Sequence, residues 1–276
     1  IITSTFEDTT LNISLSASDI DGDTLSYIVI DPPANGTLTI SGTIVIYNPT
    51  LNYHGPDSFT YKANDGMSDS NTSSVTLNIT SVNDVPVSAT ASATTTEDTS
   101  VEITLAATDA DGDDLNYLVV TAPEHGTVSI TSSTVTYTPE SNYHGSDSFT
   151  YKVNDGTVDS NTASVTIAIT SVNDTPITSS VVTSTLEDTS VSIPLSASDV
   201  DGDELTYLVV ASPLHGTVII DGSSALYTPQ ENYHGEDVFT FKANDGMSDS
   251  NVSSATITII SVNDEPFVDP ADISGP

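Results

Sequence analysis

Two short acidic patterns in this chain could do chemistry. The first is Asp19-x-Asp21-Gly22-Asp23, which returns as Asp109 to Asp113 and as Asp199 to Asp203. Alternate carboxylates around a tight turn let hard oxygen donors converge on one point, and the Gly permits a positive φ. That is the chemistry of a hard divalent cation. Alone, an Asp-Gly-Asp turn is more often structural than functional. The spacing is not that of an EF-hand loop. With Asp19 as first ligand, Gly falls at the fourth place instead of the sixth, and the twelfth residue is Ile30 instead of Glu. Another scaffold must supply the remaining ligands.

The second pattern, Asn83-Asp84-x-Pro86, returns at Asn173-Asp174 with Pro176 and at Asn263-Asp264 with Pro266. Asn and Asp offer side-chain and carbonyl oxygens, while proline stiffens the chain after them. Taken singly this is a linker turn. Its recurrence, and the roughly 6–8 oxygens that one Ca²⁺ takes, favour a second source of ligands. Glu7-Asp8-Thr9 also recurs, at Glu97 and at Glu187, and every motif steps by 90 residues. That period suits one sandwich domain and is too long for a solenoid turn or a propeller blade.

The elements that must position these motifs are strands. Leu11, Ile13 and Leu15 alternate in one, and Leu25, Tyr27 and Val29 in a second that Pro32-Pro33 ends. Leu38 and Ile40 precede a turn at Ser41-Gly42, with Ile44 and Ile46 after it, which predicts a hairpin. Phe59, Tyr61 and Ala63 form another strand, and Val75, Leu77 and Ile79 another. Six or seven strands per copy and no helical periodicity predict an all-β chain of three tandem Greek-key sandwiches, immunoglobulin-like, in an extended rod. The expected repeats are 1–84, 85–174 and 175–264, with 265–276 starting the next linker.

Composition sharpens this. There are 39 Asp and Glu against 3 Lys and Arg, a formal charge of −36. Such a chain repels nucleic acid and anionic membranes. Self-repulsion of this size destabilises a compact state unless cations offset it. Either the surface is simply solvated and acidic or bound cations belong to the fold. Nine acidic positions recur in all three copies and hold 27 of the 39 acids, so the charge is placed. Cysteine is absent, which excludes disulfides, thiolate metal sites and a cysteine nucleophile. No stretch is long and apolar enough to span a membrane. The chain opens at Ile1 without a secretory signal and reads as an excerpt of something longer.

Fifteen of the 17 Phe and Tyr fall at the five repeated positions of Tyr27, Tyr47, Tyr53, Phe59 and Tyr61, which predicts core. No Trp offers a sugar-stacking platform. The five His are singly placed, without the paired spacing of a zinc site, and default to turn or surface. Lys62, Lys152 and Lys242 default to surface ion pairs. No nucleophile elbow is present and each acid-rich motif is triplicated, so no enzyme is expected.

Ala17-Ser18-Asp19-x-Asp21, Ala63-Asn64-Asp65-Gly66 and Val82-Asn83-Asp84-x-Pro86 resemble, in that order, the calcium motifs of cadherin repeats. With Glu-Asp-Thr and the run from Asn52-Tyr53-His54-Gly55 to Tyr61, the chain is similar to the bacterial cadherin-like tandem repeats of large secreted adhesins, including RTX-type ones. The resemblance implies Ca²⁺ shared across each joint. At the first joint it would use Glu7, Asn83, Asp84, Asp109, Asp111 and Asp155, and at the second Glu97, Asn173, Asp174, Asp199, Asp201 and Asp245. Asp113 and Asp203 close the same loops. Asp19, Asp21, Asp23 and Asp65 form an outer set without an upstream linker, expected to bind more weakly. The Asp-Arg-Glu motif of animal cadherins is missing, which implies fewer ions per joint.

The function this implies is a Ca²⁺-rigidified extender of a bacterial surface or secreted adhesin, serving cell adhesion and biofilm. It would be monomeric, with Ca²⁺ and neighbouring repeats as its partners. The rival is a Ca²⁺-dependent binding module for polysaccharide or for another copy of the adhesin.

Overall fold

The protein, as a computed structural model, is described over residues 1–265; the expected tail at 265–276, and Pro266 of the third linker motif, fall outside that range except for Glu265. The chain divides after Thr170 into two compact units. The first holds two repeats and the second holds one, and each repeat has its own hydrophobic core.

The first repeat contains β1 (Ile2–Phe6), β2 (Leu11–Ser14), β3 (Ser26–Asp31), β4 (Gly36–Ser41), β5 (Ile44–Pro49), β6 (Gly55–Asn64) and β7 (Ser73–Thr80). They form two sheets, in the orders β1-β7-β6-β3 and β2-β5-β4. Between the sheets lie Ile13, Leu15, Val45, Tyr47, Phe59, Tyr61, Val75, Leu77 and Ile79, with Tyr27 and Tyr53 packed against them. Strand alternation places them there, since every second residue of β6 and β7 is buried. The recurring aromatics are therefore core, as their positions predicted. β1 runs parallel to β7, from Ile2 opposite Thr76 to Phe6 opposite Thr80. The same parallel pairing joins Ala91–Thr96 to Ala163–Thr170 and Val181–Leu186 to Ser253–Ile260.

The β4–β5 hairpin forms as expected, but its buried residues after the turn are Val45 and Tyr47, while Ile44 is 42% exposed. The turn residues are Gly42 and Thr43, so Ser41 faces Ile44, and Ile40 therefore shares its face with Val45. Gly42 takes a φ of 62° here.

A buried polar device recurs in each repeat. Asp147 is 7% exposed and accepts four hydrogen bonds: from the Tyr137 hydroxyl at 2.7 Å and from the N–H groups of Glu124, His125 and Ser148 at 2.8 to 3.1 Å. Asp57 with Tyr47 and Asp237 with Tyr227 repeat it. To reach the carboxylate, the tyrosine ring packs closely against a glycine. A Cβ on Gly126 would stand 2.7 Å from the Tyr137 ring and 2.6 Å from the Thr138 carbonyl oxygen. Both neighbours are fixed, so Gly126→Ala should destabilise the second repeat by about 1–3 kcal/mol in thermal or urea unfolding. An unchanged midpoint would show that the ring is free to move aside.

The second and third repeats add one short antiparallel ladder each. Thr108 pairs with Val87, and Ser198 pairs with Ile177. These pairs have a direct consequence. Asp109 follows Thr108, and Asn83-Asp84-Val85-Pro86 precedes Val87, so the ladder brings the acidic loop of the second repeat beside the linker that leads into it.

Candidate metal centre

At the first joint the ladder of β1 and β7 carries on for one more bond, from the Glu7 N–H to the Thr80 carbonyl at 3.0 Å. This places Glu7, 3% exposed, beneath the start of the linker, where its Oε1 accepts the Val82 N–H. From the other side, Asp111 holds the same linker: its Oδ1 accepts the Ser81 hydroxyl at 3.1 Å and its Oδ2 the Asp84 N–H at 2.7 Å. Asn83 donates from Nδ2 to Asp155 Oδ2 at 2.8 Å. Residues of both repeats thus grip one short linker.

The acidic loop itself is tied by Asp109 Oδ1, which accepts the N–H groups of Gly112 and Asp113 at 3.0 and 3.2 Å. Gly112 takes the positive φ that this turn needs, 79°. Oxygens of Asp109, Asp111 and Asp113 lie within 4.8 Å of one another, and Asp111 also belongs to a second such group with Glu7 and His54.

What remains is a set of acceptors without donors. Glu7 Oε2, Asp84 Oδ2 and Asp109 Oδ2 are shielded from water and have no hydrogen-bond partner. Burial raises the Asp84 carboxyl above the ordinary carboxylate range, and the charges of Asp111, Glu7, Asp8 and Asp109 push it the same way. Shielded carboxylate oxygens without partners are costly, and they fit a cation that takes oxygen donors.

Asp155 differs. It is held below the ordinary range by the Val158 N–H first and then by the Asn83 amide, with the Thr157 N–H also donating. Its Oδ1 closes its own turn, and its Oδ2 positions Asn83. Asp65 and Asp245 are lowered in the same way by the turns that they close.

In the second unit the pattern repeats. Asp201 Oδ2 accepts the Asp174 N–H at 2.7 Å, and Asn173 donates to Asp245 at 2.9 Å. Asp199 Oδ1 accepts the Gly202 and Asp203 N–H groups, Asp199 Oδ2 is shielded and without a partner, and oxygens of Asp199, Asp201 and Asp203 group within 4.8 Å. Glu97 belongs to the first unit, where its N–H donates to Thr170 and its carboxylate lies 3.8 Å from His144.

The first repeat's own loop is organised differently. Asp19 Oδ1 accepts the N–H groups of Asp21 and Asp23, and Asp19 and Asp65 line an open hollow. Among the described residues Asp19, Asp21 and Asp23 do not form a close oxygen group as their counterparts do.

Three recurring acids serve the fold instead. Asp57 holds the buried tyrosine. Asp69 lies 4.0 Å from Lys62, the surface ion pair expected there. Asp8 accepts the Asn52 N–H at 3.0 Å. The one nearby residue the motifs did not assign is His54, whose Nδ1 stands 3.8 Å from Glu7. A single His in a turn has no spacing signal, and only the fold brings it across 47 residues.

The family described as "Bacterial Ig domain" matches residues 1–78, 83–168 and 173–260, once per repeat. Among solved structures, mouse Cadherin-23 EC22-24 is 25% identical, with a TM-score of 0.59 over 95% of this chain and 96% of that one. Human CDH23 EC21-23 is 18% identical, with a TM-score of 0.63 over 92% and 97%. Integrin beta-like protein A of Dictyostelium discoideum is 28% identical over 240 residues, 71% of this chain, and the chain spans 12% of that protein's length. The resemblance read from the motifs is borne out as tandem cadherin/Ig-like repeats, and so is the all-β tandem sandwich.

Proposed function

We propose, from the premise that this chain belongs to the bacterial Ig domain family, that it is a Ca²⁺-binding extender segment of a bacterial surface or secreted adhesin, acting in cell adhesion and biofilm. One observation carries the proposal. The shielded oxygens of Glu7, Asp84 and Asp109 have no donors, and they come from the first repeat, the linker and the second repeat respectively. Ca²⁺ supplies the missing positive charge to about 6–8 oxygens at once. Asp111 then orients the linker while Asn83 and Asp155 fix the following turn. Without the ion these carboxylates repel one another across the joint. Ion binding and alignment of the two repeats are therefore one equilibrium, and the aligned form gains by its higher affinity. A position outside the cell fits a medium that holds free Ca²⁺, and among the described residues no helix is long and apolar enough to cross a membrane. No catalytic role forms part of the proposal.

The absence of cysteine makes the test clean. Spin labels at Ser41→Cys and Thr131→Cys, both at exposed positions in the first and second repeats, should give a narrower distance distribution in millimolar Ca²⁺ than in chelator. Asp84→Ala should remove that narrowing. Coincident distributions with and without Ca²⁺ would leave the acids as a solubilising surface only.

A further inference from the structure

Oxygen donors are all that calcium needs, yet the first joint also holds a nitrogen. Asp8, at φ 54°, accepts the N–H of Asn52, itself at φ 56°, and so ties the turn after β5 to the residue that follows Glu7. His54 lies two residues on. Its Nδ1 reaches 3.8 Å from Glu7 Oε2, too far for a hydrogen bond. The Glu7 side chain is 2% exposed and its Oε2 has no hydrogen-bond partner. Ligand atoms of Glu7, His54 and Asp111 all lie within 4.8 Å of one another.

We propose that Glu7, His54 and Asp111 form a binding site for a borderline divalent transition metal, with Zn²⁺ as its probe. A neutral imidazole suits such ions, whereas Ca²⁺ takes oxygens. Donors on a tetrahedral ion at about 2.0–2.1 Å stand roughly 3.3 Å apart, so the His54–Glu7 pair needs to close by only a few tenths of an ångström. His54 is 51% exposed, which gives the ion a route in and leaves a fourth position for water. The site spans two repeats, taking Glu7 and His54 from the first and Asp111 from the second. The fold builds the same pair elsewhere, with His144 at 3.8 Å from Glu97 and His234 at 3.7 Å from Glu187. His125 and His215 are used otherwise, stacked on Tyr143 and Tyr233 with centroids 4.0 Å apart. The site shares Glu7 and Asp111 with the calcium proposal and goes beyond it, because it requires the imidazole.

The test uses the full chain freed of metal and titrated with Zn²⁺, following the histidine ring resonances by NMR, with His54 assigned from a His54→Gln spectrum. The His54 signals should move to a plateau at near-stoichiometric Zn²⁺, while those of His125 and His215 stay in place. His54→Gln should lower Zn²⁺ affinity at this joint at least about ten-fold and leave Ca²⁺ uptake unchanged. Asp111→Asn should blunt the His54 response. A His54 signal that moves no further than that of His215, or that ignores Asp111→Asn, overturns the proposal. Ca²⁺ failing to bind while His54 still responds would sink the calcium proposal and support this one.

Discussion

Asp147→Ala should cost the second repeat about 3–5 kcal/mol, the scale for stripping a buried charged acceptor from its partners. The Tyr137 hydroxyl, which is buried, and three part-buried backbone N–H groups would lose their acceptor. Asp147→Asn keeps the shape but turns one acceptor into a donor, and should fall between the two in chemical unfolding. A pH dependence accompanies this. Burial pushes the Asp147 carboxyl up, but the hydrogen bonds from Tyr137, Ser148, His125 and Glu124 outweigh it and hold it below the ordinary range. A depressed folded value means the stabilisation is present above the unfolded carboxylate value of about 3.9 and is lost as pH falls through the lower folded one. The wild-type chain should therefore lose stability below about pH 4 by an amount that Asp147→Asn does not. Identical acid limbs for the two chains would contradict this.

The second large effect is expected at Asp111, and it should appear only with calcium. In chelator, Asp111→Ala removes one charge from a like-charge cluster while also removing the acceptor for the Asp84 N–H and the Ser81 hydroxyl. These opposed changes should leave stability within about 1 kcal/mol of the starting chain. With Ca²⁺ the loss should be large. A ligand present at 100 times its Kd stabilises by about 2.7 kcal/mol, and a hundred-fold weaker site forfeits nearly all of that. Asp21→Ala, in the loop whose acids do not gather, is the matched control and should change Ca²⁺ uptake far less. Calorimetry that finds the same uptake in Asp111→Ala as in the starting chain would refute the assignment.

Much of this was legible in the sequence because three copies compare themselves. The 90-residue step exposed the repeats, and alternation exposed β6 and β7. The acidic loops were legible as loops. Asp57, an acid in a strand, has by residue type alone the look of surface charge. Yet it is in phase with Phe59, Tyr61 and Ala63, and that parity marks it as inward. β1 was missed for a different reason. Its apolar ends, Ile2 and Phe6, are 86% and 56% exposed, while Thr3 and Thr5 face inward, so its pattern is inverted. The donorless oxygens were not legible at all. Whether a carboxylate oxygen lacks a partner depends on what folds over it.

The parallel pairing of first and last strands has one more consequence. Because β1 and β7 point the same way, the chain enters a repeat at one pole and leaves at the other. Pulling on those two ends would slide β1 along β7 instead of peeling it away. The load would fall on all the rungs of that ladder together, the arrangement in which weak bonds best resist force. Within each repeat, tension is thus met by backbone hydrogen bonds acting together.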